Sequence, residues 1–157
     1  MDFSTTTDSP QQTIEFGRRF GSQLKGGEVI ALCGPLGSGK THLIKGIVKG
    51  LGAEGTANEV TSPTFVIVNE YSGGSTPLTT GRLEVYHIDA YRLDSIVQFE
   101  QIGFDDYCRP DSVVLIEWAD KIEQALSGIN YIKIELSHLG PTARTIRVIN
   151  APDYIHF

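Results

Sequence analysis

At 157 residues the chain has the length of one domain, 1–157, long enough to bury most of its apolar surface without a second. Its net charge of −6 and isoelectric point near 5.1 argue against the clustered basic surface that DNA or RNA backbones require, so any RNA would be held by a partner. Cys33 and Cys108 are too few for a disulfide framework, Met1 to Thr7 lacks the basic start and apolar core of a signal peptide, and no run approaches membrane-spanning length; a cytoplasmic protein is expected.

In chain order, Thr5 to Thr7 read as a short edge strand. Ser9-Pro10-Gln11-Gln12 then carries a helix start, with Ser9 as N-cap, Pro10 at the first helical position and Gln12 closing a capping box. Ile14, Gly17, Phe20, Gly21 and Leu24 fall on one face of this helix, and Gly26-Gly27 ends the element. Val29 to Cys33 is a continuous apolar run of buried-strand length. Leu43, Ile44, Ile47, Val48 and Leu51 recur at helical spacing until Gly50 and Gly52 close a second helix.

Between that strand and that helix stands Gly34-Pro35-Leu36-Gly37-Ser38-Gly39-Lys40-Thr41, which fits G-x-x-x-x-G-K-[ST] at every fixed position. Successive backbone N–H groups must turn inward there to cradle phosphate oxygens, and Gly34, Gly37 and Gly39 permit that turn. Lys40 brings a point charge to the β and γ phosphates, Thr41 offers a hydroxyl to a magnesium ion, and His42 follows beside the nucleotide. A helix starting near Lys40 directs its positive end at the anion. Strand and helix on either side make the motif an ATP site rather than a glycine-rich turn.

Thr61-Ser62-Pro63-Thr64-Phe65 leads into Val66 to Tyr71, a β-rich run. Pro63 holds Ser62 extended, so Thr64 could be presented near the γ phosphate or metal like a switch threonine, or could simply enter a strand. Ser72 to Gly81 is polar, with Gly73-Gly74 and Pro77, and is expected to be a mobile loop of a hairpin. Leu83 to Asp89 returns as a strand ending in a carboxylate. Asp89 could hold magnesium or cap the next turn, and His87, alternating with Val85, reads as a packed strand histidine. Asp94-Ser95 opens a short helix that Gly103 stops, and Phe104-Asp105-Asp106-Tyr107 reads as a solvated loop.

Val113 to Ile116 is a second fully apolar strand followed by Glu117, the pattern of a Walker B strand. Asp89 and Glu117 are therefore two acids for one magnesium site, one holding the metal and the other orienting water or sharing the ion. Trp118 packs under the next element or walls the site. Asp120 to Leu126 reads as a helix with Ile122 and Leu126 inward. Ile132, Ile134 and Leu136, then Ile146 and Val148, alternate on two strands joined through Gly140-Pro141. The fold class is α/β: one P-loop domain, a mixed central sheet with parallel core strands flanked by helices, and a C-terminal antiparallel hairpin.

These segments together resemble the TsaE (YjeE) ATPases of bacterial tRNA threonylcarbamoyladenosine biosynthesis. The resemblance rests on Gly34 to Thr41, Thr61 to Phe65 leading to Glu70-Tyr71, His87-Ile88-Asp89-Ala90-Tyr91-Arg92-Leu93, Gly103 to Tyr107, and Ile116-Glu117-Trp118-Ala119-Asp120. The one departure is Ser72 to Gly81, where the family often has a shorter hairpin. The resemblance implies that Lys40 contacts phosphates, Thr41 and Asp89 help hold Mg2+, Thr64 is switch-like, and Glu117 supports the metal or hydrolytic water. It also implies slow ATP hydrolysis by the isolated chain, action with TsaD and TsaB, and contact with tRNA only through that complex.

No arginine finger stands out. Arg92 is nearest by position, but a structural ion pair explains it equally well. A small-molecule or nucleoside kinase would need an acceptor pocket and an arginine-rich lid, and clustered arginines are lacking after the central strands. A nucleotide-gated module that binds ATP without splitting it is the third alternative.

Overall fold

A computed structural model describes residues 1–53, 68–72 and 82–157. The elements run β1 (Phe3–Thr7), α1 (Pro10–Gly21), β2 (Val29–Cys33), α2 (Lys40–Gly50), β3 (Val68–Ser72), β4 (Glu84–Asp89), α3 (Ile96–Gln101), α4 (Phe104–Tyr107), β5 (Ser112–Glu117), β6 (Ile132–His138) and β7 (Arg144–Ile149), with 3-10 turns at Ala90–Arg92, Ala119–Lys121 and Glu123–Leu126. Thr64, the Ser62-Pro63 step and residues 73–81 of the expected loop lie outside the described residues.

The strands form one seven-stranded sheet in the order β1-β7-β6-β2-β5-β4-β3. The run β6-β2-β5-β4 is parallel, whereas β1, β7 and β3 pair antiparallel with their neighbours. Strands covered on both faces have no polar side to present, which is why β2 and β5 read as unbroken apolar runs. Ile30, Leu32, Val113 and Leu115 pack beneath α1 and α2. Ala31, Cys33, Val114 and Ile116 point the other way, toward Phe99 and Phe104. In β6, Ile132, Ile134 and Leu136 are buried while Lys133 and Glu135 between them are half-buried. No helix among the described residues is long and apolar enough to cross a membrane.

The start of α1 follows its sequence: the Ser9 side chain accepts from Gln12 N at 3.2 Å, and Pro10 fills the first turn. Gln12 Oε1 reaches back one residue further than a capping box requires, to Asp8 N at 2.8 Å. The buried face of α1 also carries Thr13 and Phe16, while Ile14 sits at its margin.

Two expectations are corrected. Phe104–Tyr107 is a helical turn whose Phe104 is buried, because that ring packs 4.9 Å from Phe99. Residues 119–126 form two 3-10 turns instead of one helix: Ile122, at φ −129° and ψ 15°, leaves the helical region between them. Ile122 and Leu126 are nevertheless both buried, as their spacing suggested.

α1 and α2 meet along a seam of glycines. A Cβ on Gly46 would collide with the Ile14 carbonyl, one on Gly50 with Arg18, one on Gly17 with Leu43 and one on Gly21 with Ile47. All of these obstacles are backbone atoms, which cannot rotate aside. Gly46→Ala should therefore destabilise the protein by about 1–3 kcal/mol despite alanine's better helix propensity, with an unchanged m-value in urea denaturation.

Candidate nucleotide-binding site

The cradle begins where β2 ends. Gly34, Gly37 and Gly39 hold φ of 148°, 74° and 98°, and Gly39 serves as the left-handed N-cap of α2. A side chain at Gly34 would run into the Leu136 carbonyl and Ser38 Oγ, so the loop closes only with glycine there. Lys40 opens α2 and is 4% exposed. Its Nζ donates to Gly34 O at 2.6 Å and Pro35 O at 2.9 Å, inside the concavity of the loop. Burial presses the Lys40 ammonium below its ordinary pKa, and the carboxylates of Glu117, Asp120 and Asp89 oppose that shift.

The two acids are brought together by register. In the parallel pair β4–β5, Asp89 stands opposite Glu117, and in β2–β5, Leu32 stands opposite Glu117. Both carboxylates share the α2 face with Val85 and Leu115. Glu117, 2% exposed, accepts from Thr41 Oγ1 at 3.1 Å through Oε1 and meets His87 Nε2 at 2.9 Å through Oε2. Asp89 Oδ1 accepts from Tyr91 N at 3.0 Å. Burial raises the Asp89 pKa, the Tyr91 N–H works against this, and the charge of Glu117 adds to it. Asp89 thus both caps the Ala90–Arg92 turn and stands beside the second acid.

Among the described residues no group of three or more His, Cys, Asp and Glu could hold a metal by itself. Beside the loop, the described residues offer oxygen ligands in the Thr41 hydroxyl and the Asp89 and Glu117 carboxylates. Such a set fits magnesium, which keeps waters and shares its ligands with substrate phosphates.

A cavity of about 270 Å³ runs from the phosphate loop past Thr41 and His42 to Pro10 and Thr13 of α1 and to Pro141, Thr142 and Arg144 of the β6–β7 hairpin. Arg144 ties that hairpin to the loop: its guanidinium donates to Gly37 O at 3.0 Å and to Ala143 O at 2.8 Å. His138 Nε2 lies 3.3 Å from Leu36 O. Trp118 walls the cavity as well as packing against the cluster that contains Ala31, Ile116 and Phe99, with its ring centre 3.7 Å from Lys40 Nζ. It does so at φ 60°, a left-handed conformation unusual outside glycine.

The structure brings together the phosphate loop, Thr41, His42, Asp89, Glu117 and Trp118. Arg92 lies exposed at the end of the turn after Asp89. The contacts of His87 and Arg144 were not foreseen. His87 stands two residues before Asp89 on one strand, so alternation alone places both on one face. Arg144 carries no local signal, because only the order β7-β6-β2 sets its hairpin beside the loop.

A phosphate loop between a parallel strand and a helix, with acids at the ends of neighbouring strands, defines a P-loop nucleotide-binding domain. A family model described as "Threonylcarbamoyl adenosine biosynthesis protein TsaE" matches residues 7–146, and the chain belongs to this TsaE family. The Bacillus subtilis tRNA threonylcarbamoyladenosine biosynthesis protein TsaE is 38% identical over 120 residues, covering 76% of this chain and 68% of the relative. Its counterpart in Streptomyces coelicolor is 37% identical over 137 residues, covering 85% and 84%. The crystal structure of Bacillus subtilis YdiB matches with a TM-score of 0.70 at 29% identity, over 94% of this chain and 84% of that one.

Trp118 is the only tryptophan and its ring faces Lys40, so adding MgADP should change the intrinsic fluorescence. Titrated by that signal, Lys40→Ala should bind about 10–100-fold more weakly, from the loss of charge-assisted hydrogen bonds to phosphate.

Proposed function

We propose that this chain binds ATP and Mg2+ in the cavity and hydrolyses the nucleotide as the ATPase subunit that works with TsaD and TsaB in threonylcarbamoyladenosine modification of tRNA. The observation that carries the hydrolytic part is the pairing of Asp89 with Glu117 beside Thr41. A binding site needs the loop, Lys40 and an acid for the metal; a second buried acid beside the first is what water activation adds.

The roles divide as follows. Gly34 to Thr41 surround the phosphates with backbone N–H groups, and Lys40 gives up the carbonyls of Gly34 and Pro35 for phosphate oxygens. The magnesium ion, when bound, offsets the charge of the β and γ phosphates. Thr41 and Asp89 would hold it, and Glu117 would support it or accept a proton from the attacking water. Thr64 would act as a switch-like residue near the γ phosphate. The base and ribose take the far end of the cavity, by His42, Pro10 and Pro141.

Lys40 and Arg144 are the lysine and arginine lining this cavity, and the Arg144 guanidinium is committed to backbone carbonyls. Among the described residues, charge developing on the γ phosphate therefore meets no arginine finger within the cavity, which favours slow turnover until a partner supplies the missing charge or orders the site. With a net charge of −6, the chain suits contact with tRNA through TsaD and TsaB in the cytoplasm better than direct contact.

Phosphate release from ATP should be slow for the purified chain, rise when TsaD, TsaB and tRNA are added, and vanish with EDTA. Glu117→Gln should lower turnover by about 100-fold or more while nucleotide affinity holds within a few-fold. Modification activity that persists in Glu117→Gln would instead identify a nucleotide-gated module.

A further inference from the structure

His87 is a buried polar side chain to which the roles above give no task. It sits within β4, 0% exposed, and its Nε2 lies 2.9 Å from Glu117 Oε2. Its Nδ1 has no hydrogen-bond partner among the described residues. A hydrogen on Nδ1 would be a buried orphan donor, so the arrangement places the hydrogen on Nε2, donated to the carboxylate. A side chain that only filled space would do so better as leucine, without desolvating an imidazole.

Glu117 needs such a partner. The last torsion of a glutamate is broad and nearly two-fold, so its rotamer alone does not set where the two oxygens point. Thr41 Oγ1 bonds Oε1 at 3.1 Å, and the far oxygen is met from the neighbouring strand by the imidazole.

We propose that His87 is a positioning residue for Glu117: by donating to Oε2 it fixes the rotation of the carboxylate, so that Oε1 stays turned toward Thr41 at the start of α2. A carboxylate held at both oxygens spends no reorganisation at the moment of reaction. Without the imidazole, Oε2 is a buried oxygen with one donor fewer and the group is freer to rotate. The consequence for turnover rests on the hydrolysis proposed above; the hydrogen bond itself does not.

Three replacements test this. Glutamine can carry an amide nitrogen close to the place of Nε2, asparagine reaches only as far as Nδ1, and leucine fills the volume without a donor. His87→Leu and His87→Asn should lower kcat by about 10–100-fold, with KM for ATP and affinity for MgADP within about threefold, and His87→Gln should recover most of the loss. Proton–nitrogen correlation spectra of the wild type should show a slowly exchanging hydrogen on Nε2 of His87, displaced in Glu117→Gln. Near-wild-type kcat in a folded His87→Leu, equal damage from the glutamine and asparagine variants, or a hydrogen on Nδ1 would each overturn the proposal. Should His87→Leu not fold, the glutamine and asparagine pair decides. If the wild type splits no ATP at all, the hydrolytic function falls instead. His87 is then judged by its Nε2 resonance and by the magnesium concentration that half-saturates ATP binding, which His87→Asn should raise about tenfold and His87→Gln should not.

Discussion

Parallel pairing of β2 with β5 and of β5 with β4 is the constraint on which the rest of the site depends. In parallel strands the same ends lie side by side, so whatever follows each strand converges on one edge of the sheet. Here β2 delivers the phosphate loop, β5 ends on Glu117 and β4 ends on Asp89, with Leu32, Glu117 and Asp89 linked through successive register pairs. A shift of one residue in either ladder would turn a carboxylate to the opposite face, among Ile88 and Ile116, where it would meet neither Thr41 nor the loop. The hydrophobic effect enforces the register, since the same slip would exchange every apolar residue between two different layers.

Local geometry then sharpens what register has placed. Three glycines in the left-handed region bend the loop into its cradle, and Arg144 and His138 brace that cradle from the β6–β7 hairpin through the carbonyls of Gly37 and Leu36. Lys40 lies between the carbonyls of Gly34 and Pro35 and the Trp118 ring, so the principal cation of the site is shielded from bulk water and surrounded by electron-rich groups. Low exposure of Lys40, Asp89 and Glu117 strengthens both the attraction of the ammonium for each carboxylate and the repulsion between the two acids, which is why each needs its hydrogen-bond partners.

Much of this was legible in the sequence where a residue's task is local. The phosphate loop declared itself by spacing, β2 and β5 by unbroken apolar runs, and the Ser9 and Ser95 caps by side-chain chemistry. The mixed sheet with its antiparallel ends also followed from the pattern of elements. What escaped was non-local or set by competing packing. Arg144 reaches Gly37 across 107 positions of chain, and the turns at 119–126 follow from a backbone break at Ile122 that its side chain does not announce. His87 is packed in its strand, as its alternation with Val85 suggests, and its ring nitrogen also meets Glu117, a partner 30 positions away.

The glycine seam between α1 and α2 has a metrological consequence. α2 begins at the phosphate loop, while Pro10 and Thr13 at the start of α1 form the opposite wall of the cavity. Backbone rests directly on backbone at Gly17, Gly21, Gly46 and Gly50, so no side chain of adjustable length sits between the two helices. The seam is thus a fixed gauge: its thickness, set a turn or more away from any ligand, calibrates how far apart the two walls stand.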